Sequence, residues 1–147
     1  MLSRVHRAAS LIATLAIATF FVSTVVVELL GDPALVARAK ALIVSPGLFI
    51  LIPALMATGG SGFALARGRS GRLVEAKKRR MPVIVALGAL VLLPCALVLA
   101  QWSAAGRHDG AFYALQALEL LAGAVNLTLM ALNARDGLRL AGRLRPR

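Results

Sequence analysis

The sequence predicts an all-α fold: a four-helix transmembrane bundle with both termini in the cytoplasm. Three observations carry this expectation. The chain of 147 residues is 59% hydrophobic with a mean hydropathy of +0.82, and 16% of it is charged, where a soluble domain carries about a quarter. Its charges are bunched rather than spread. Four long apolar runs occupy most of the chain, and the polar segments between them are too short to fold alone. Residues 1–147 therefore form a single integral membrane domain.

Each run in turn is long enough, at roughly 20 residues, to cross about 30 Å of hydrocarbon as a helix. The first, 8–30, is "AASLIATLAIATFFVSTVVVELL". Arg4 and Arg7 before it resemble the start of a signal peptide. The apolar stretch is longer than a usual signal core and no clear A-x-A site follows, so a retained span is expected. The second run, 41–66, is "ALIVSPGLFILIPALMATGGSGFALA", and the third, 81–102, is "MPVIVALGALVLLPCALVLAQW". The fourth covers 111–133. A basic loop, 67–80, joins the second and third runs, and a basic tail, 134–147, follows the fourth. The two halves do not share prolines or polar positions, so no internal repeat is evident.

Lys and Arg set the orientation. Of 17 such residues, 14 lie in the N-terminus, the 67–80 loop and the tail; Arg38, Lys40 and Arg107 lie in the other two loops. The excess places those three basic segments in the cytoplasm. Trp102 and Tyr113 bracket the third loop as interfacial anchors do. The net charge of +11 belongs to this topology signal, so nucleic acid is not an expected partner. The expected partners are the lipid bilayer, anionic lipid headgroups at the cytoplasmic face, and a second copy or a larger membrane complex. Leu138, Leu140 and Leu144 interleave with arginines in the tail, a pattern that suits the inner leaflet or a solvated tail.

Span four carries the main chemical signal. Gln116, Glu119, Gly123, Asn126, Met130 and Asn133 step by three and four, so they share one helical face. A polar stripe in hydrocarbon must face other helices, and Gly123 lets a neighbouring backbone approach. Glu119 lies about 13 Å along its helix from the outer end. With no basic residue assigned to any span, the neutral, hydrogen-bond-donating acid is expected. The candidate acceptors are the Phe49 carbonyl, freed because Pro53 has no N–H, and the hydroxyls of Thr19, Ser23 and Thr24.

Proline supplies the expected helix breaks: Pro46 and Pro53 in span two, and Pro94 in span three. "ATGGSG" loosens the inner end of span two. Ala54, Thr58, Gly62 and Ala66 at i+4 spacing form a small-residue packing face. Gly59, Gly60 and Gly62 do not make a phosphate loop, because the strand and the Lys-Ser/Thr ending are missing.

No catalytic, cofactor or metal residues are expected. His6 and His108 both lie outside the spans, which leaves no pair of facing ligands for a membrane haem. Glu28, Asp32, His108 and Asp109 gather on the outer side without metal-motif spacing. The lone Cys95 can form no internal disulfide and is expected to pack as a small hydrophobe. No Ser-His-Asp or Cys-His set assembles from the sequence. The expected role is a structural or accessory subunit. The alternative is a transporter or channel subunit that uses Gln116, Glu119 and Asn126 for protons, ions or a small solute. Heavy Ala, Leu and Arg use suits a GC-rich bacterial genome, and so a plasma membrane.

Overall fold

The computed structural model describes residues 1–68 and 70–142, all of whose regular structure is helical. Arg69 and the tail beyond residue 142, including Leu144, lie outside the described residues. Four segments are long and apolar enough to cross a membrane: Leu2–Leu30, Pro33–Ala66, Arg72–Ala104 and Gly110–Leu140.

Helix α1, Leu2–Leu30, is one unbroken rod. The second segment is two helices. Helix α2, Pro33–Leu42, starts on Asp32, whose carboxylate accepts the Leu35 amide N–H at 2.8 Å, with Pro33 in the first turn. A carboxylate cap and an N1 proline together satisfy and preset a helix start. Helix α3, Leu48–Ala66, follows a wide turn over Ile43–Gly47. Within that turn Ser45 leaves helical space (φ −139°, ψ 117°). The Ser45-Pro46 bond is cis, and Pro46 offers no N–H to the helical ladder.

The third segment also has two parts. Helix α4, Arg72–Ala86, and helix α5, Leu93–Ala104, flank a widened turn over Leu87–Leu92. Pro94 offers no N–H to the turn before it, and the Leu93 N–H bonds back to the Gly88 carbonyl, five residues earlier. Helix α6, Gly110–Leu140, starts on Asp109, which accepts the Phe112 N–H at 3.0 Å.

These bounds revise two expectations. The second helix begins at Pro33 rather than near residue 41, and most of the basic 67–80 segment is helical from Arg72 onwards. Of the three expected breaks, Pro46 lies within an irregular turn and Pro94 just after one. Pro53 does not break its helix, since α3 runs on through it.

Two apolar cores stack along the molecule. One gathers Ala13, Ile17, Leu51, Ala54, Ile84 and Met130; the other gathers Val27, Val36, Cys95, Leu99 and Phe112. Helix α1 packs chiefly on α3 and also on α6, while α2 lies against α5, and α4 and α5 against α6. Small residues allow the α1–α3 approach, with Ala13 of α1 and Ala54 of α3 buried in one core. At the Ser45 break, Gly47 sits beneath the Phe20 ring, where an added Cβ would come within 2.6 Å of Cζ. Large apolar side chains such as Phe49, Phe63 and Leu121 point outward and are mostly exposed, as on a surface made for lipid tails.

Candidate functional site: a charged stripe inside the bundle

Lys40 decides the chemistry of the interior. It lies seven residues along α2 from Pro33, about 10 Å in at helical rise, and its side chain is 1% exposed. Glu119 lies nine residues along α6, and both helices begin at the end of the molecule capped by Asp32 and Asp109. Their comparable depths bring Lys40 Nζ to 2.7 Å from Glu119 Oε2. The Gln116 amide N–H donates to the same oxygen at 2.9 Å. Glu119 is thus a carboxylate accepting two hydrogen bonds, not the neutral donor expected from the sequence.

The proposed acceptors also fall away. Among the described hydrogen bonds Glu119 pairs with Lys40 and Gln116, and none joins it to the Phe49 carbonyl. Thr19 is exposed, and the Ser23 hydroxyl donates to the Phe20 carbonyl on its own helix. Thr24 is buried, without a bond to Glu119 among the described contacts. The physical reason for the revision is the Asp32-Pro33 start, which moves Lys40 from a loop into the apolar interior.

The rest of the stripe is placed as follows. Gln116, Asn126 and Asn133 are buried at 3%, 1% and 8% exposure, and Gly123 and Met130 are buried with them. Gly123 meets the Phe21 ring of α1. Asn126 lies on the same buried face, and its Oδ1 has no hydrogen-bond donor. The Gln116 Oε1 is likewise buried and unpaired, as is Glu28 Oε1 on α1. Glu28 lies within electrostatic reach of Lys40, His108 and Glu119.

A second charged contact extends the stripe by one more step. Asp136, almost wholly buried on α6, receives Arg80 Nη1 of α4 at 2.6 Å. Arg80 also reaches Asn133 Oδ1 at 3.5 Å, and Asn133 points its amide at the Met81 sulfur. Helix α6 is therefore tied to α2 at one end and to α4 at the other, each time through a carboxylate. His6 adds a third polar tie. Its Nδ1 lies 3.2 Å from the Thr58 carbonyl and 3.0 Å from Ser61 Oγ on α3, so an N–H at Nδ1 serves both.

Two of these partners escaped the sequence reading although signals existed. Asp-Pro is a helix-start signature that would have opened α2 at residue 33 and placed Lys40 inside. Asp136 follows Asn133 at the same three-residue step as the stripe. Ser103 and His108 were not paired in the sequence, yet Ser103 Oγ lies 3.4 Å from His108 Nε2, with Ser103 buried.

At the Asp-capped end two acidic residues act on helix starts. Asp32 and Asp109 each cap a helix, and Arg107 bonds Asp109 at 2.7 Å while lying over the Trp102 ring at 4.1 Å. The Arg107 side chain beside it, and then the Phe112 N–H, hold the Asp109 carboxyl below the usual carboxylate range. Among the described residues no three His, Cys, Asp or Glu side chains converge as metal ligands do. Cys95 is buried in the apolar core beside Leu99.

Two open surface grooves are lined by no side chain of the α6 stripe, though Arg80, at the edge of the first, bonds Asn133 and Asp136. One is lined by Arg72, Glu75, Ala76, Arg79 and Arg80, and the other by Ala124, Val125, Thr128 and Leu129 on the outward side of α6. The class the fold defines is an all-helical protein with four helices of membrane-spanning length and apolarity, cross-tied by buried charge. No family model, no curated protein and no solved structure matches the chain.

Proposed function

We propose that this chain is a small multi-pass protein of the bacterial plasma membrane that serves as a structural or accessory subunit, joining a second copy or a larger membrane complex. It carries no catalysis in this reading. Lys40–Glu119 is the observation that supports it most. The one carboxylate in the centre of span four is spent on holding α6 to α2, and Asp136 holds α6 to α4 in the same way. Polar groups used as ties between helices suit a scaffold more than a solute route.

The outward side of α6 supports association. A groove of about 250 Å³ there is lined by Ala124, Val125, Thr128 and Leu129. Ala124 and Thr128, four residues apart, present the small-residue spacing that lets a second helix approach closely. The proposed topology keeps both termini and the Arg72–Arg80 segment in the cytoplasm. With Lys40 inside the bundle, only Arg38 and Arg107 remain as basic residues on the opposite side, which sharpens the charge asymmetry.

Purification from native membranes in mild detergent tests the reading. A particle heavier than one 15.4 kDa chain is expected, reduced to a monomer by Ala124→Leu with Thr128→Leu. A lone wild-type monomer without co-purifying protein overturns it. A second reading, a transporter or channel subunit working through Gln116, Glu119 and Asn126, is favoured by the unpaired Gln116 Oε1 and Asn126 Oδ1. Proton- or ion-dependent flux in proteoliposomes, lost in Asn126→Leu, would select it.

A further inference from the structure

The groove on α4 has a chemistry of its own. Arg72, Glu75, Ala76, Arg79 and Arg80 sit at i, i+3, i+4, i+7 and i+8, one face of the helix, and line about 420 Å³. Glu75 is engaged by Lys78 at 3.0 Å, and Arg80 is held by Asp136. Among the described residues no ion pair forms at Arg72 or Arg79, and both are exposed. The face is thus cationic, with one arginine already anchored in a fixed position.

The same face then turns apolar within one helical turn. Val83 follows Arg79 by four residues and Arg80 by three, and it is 47% exposed, as Leu90 further along is 75% exposed. A ligand that fits must be anionic where the arginines are and oily one turn further on. We propose that this face binds an anionic phospholipid, with its phosphodiester between Arg72, Arg79 and Arg80 and an acyl chain along Val83. Arginine suits this role because its planar fork donates two parallel hydrogen bonds to phosphate oxygens. A free anion would satisfy the arginines and leave Val83 unused. The inference rests on α4 entering a membrane at Met81, and not on the accessory-subunit reading.

Lipid titration of the full chain in detergent, read by native mass spectrometry, tests it with phosphatidylglycerol, phosphatidylcholine and inorganic phosphate as probes. Phosphatidylglycerol is expected to bind about tenfold more tightly than phosphatidylcholine, and Arg72→Gln with Arg79→Gln to remove about that factor. Arg38→Gln with Arg107→Gln, an equal charge loss at the other end, leaves the affinity in place. Val83→Gln weakens phosphatidylglycerol and not phosphate. Equal affinity for the two lipids, equal loss in the two arginine pairs, or phosphate binding as tightly as the lipid each overturns the proposal. If the Gln pair does not fold, Arg72→Lys with Arg79→Lys keeps the charge and loses the forked geometry. A severalfold loss is then expected, and an unchanged affinity overturns the proposal. The masses recorded in the lipid-free arm report on self-association separately.

Discussion

Lys40 Nζ lies 2.7 Å from Glu119 Oε2 across 79 residues of sequence, with the lysine side chain 1% exposed and the glutamate 13%. Breaking such a pair strands a charge in a low-dielectric interior, whereas removing both charges leaves only a packing problem. Lys40→Met and Glu119→Leu are each expected to lower stability by about 3 kcal/mol, and the double variant to return to within about 1 kcal/mol of wild type. Denaturation in mixed micelles measures all four proteins. Additive losses in the double variant would show that the two residues do not depend on one another.

Arg80–Asp136 should behave as a weaker version of the same contact. Arg80 is 24% exposed, so water shares its charge. Asp136→Asn keeps a hydrogen-bond acceptor for Arg80, and a loss of about 1–2 kcal/mol is expected. That loss should add to the effect of Lys40→Met, because the two ties lie at opposite ends of α6. A loss as large as that of Lys40→Met would contradict the ranking by exposure.

Asn126 gives the opposite expectation. Its side chain is 1% exposed and its Oδ1 has no donor. Replacing an unsatisfied buried polar group with an apolar group of similar size is nearly neutral or stabilising. Asn126→Leu should therefore leave the unfolding midpoint unchanged or raise it. A clear drop would mean that the amide is satisfied by something inside the folded bundle.

Gly47 tests the Ser45 break. A Cβ there would meet the Phe20 ring at 2.6 Å and the Leu42 carbonyl at 3.0 Å. Gly47→Ala is expected to cost about 1–3 kcal/mol by overpacking. Adding Phe20→Leu should recover part of it, and the difference between the single and double variants in micelle unfolding is the readout. No recovery would place the strain in the backbone of α2.

Asp109 supplies a pH dependence. Its folded carboxyl titrates below the ordinary value because Arg107, then the Phe112 N–H, bind the ionised form. A lowered folded value contributes stability above the unfolded pKa of about 3.9 and loses it as pH falls through the folded value. The Phe112 amide resonance should accordingly titrate with a midpoint under about 3.9. A midpoint above that, or the same titration in Asp109→Asn, would refute the cap.

Much of α6 was legible in the sequence because its period is local. Steps of three and four from Gln116 to Asn133 name a face, and those positions are buried, with Glu119 slightly open. The apolar runs were legible for the same reason, since crossing length is a property of consecutive residues. Lys40 was not, because hydropathy rejects a lysine at a span end and only the Asp32-Pro33 cap argues for including it. The partner of Glu119 could not be read from periodicity at all. It is fixed by where α2 and α6 start and how they pack, which is a tertiary fact. Pro53 shows the reverse error: a residue type with a strong local rule sits inside a helix that runs on, held by its neighbours.

The separation of Lys40 from Glu119 also orders the protein's birth. Residue 40 is synthesised before residue 119, so for that interval the ammonium has no carboxylate, and a lone charge is costly wherever it meets hydrocarbon. A chain cut short before residue 119 keeps that burden permanently. The full chain alone holds both halves of the pair, Lys40 on α2 and Glu119 on α6.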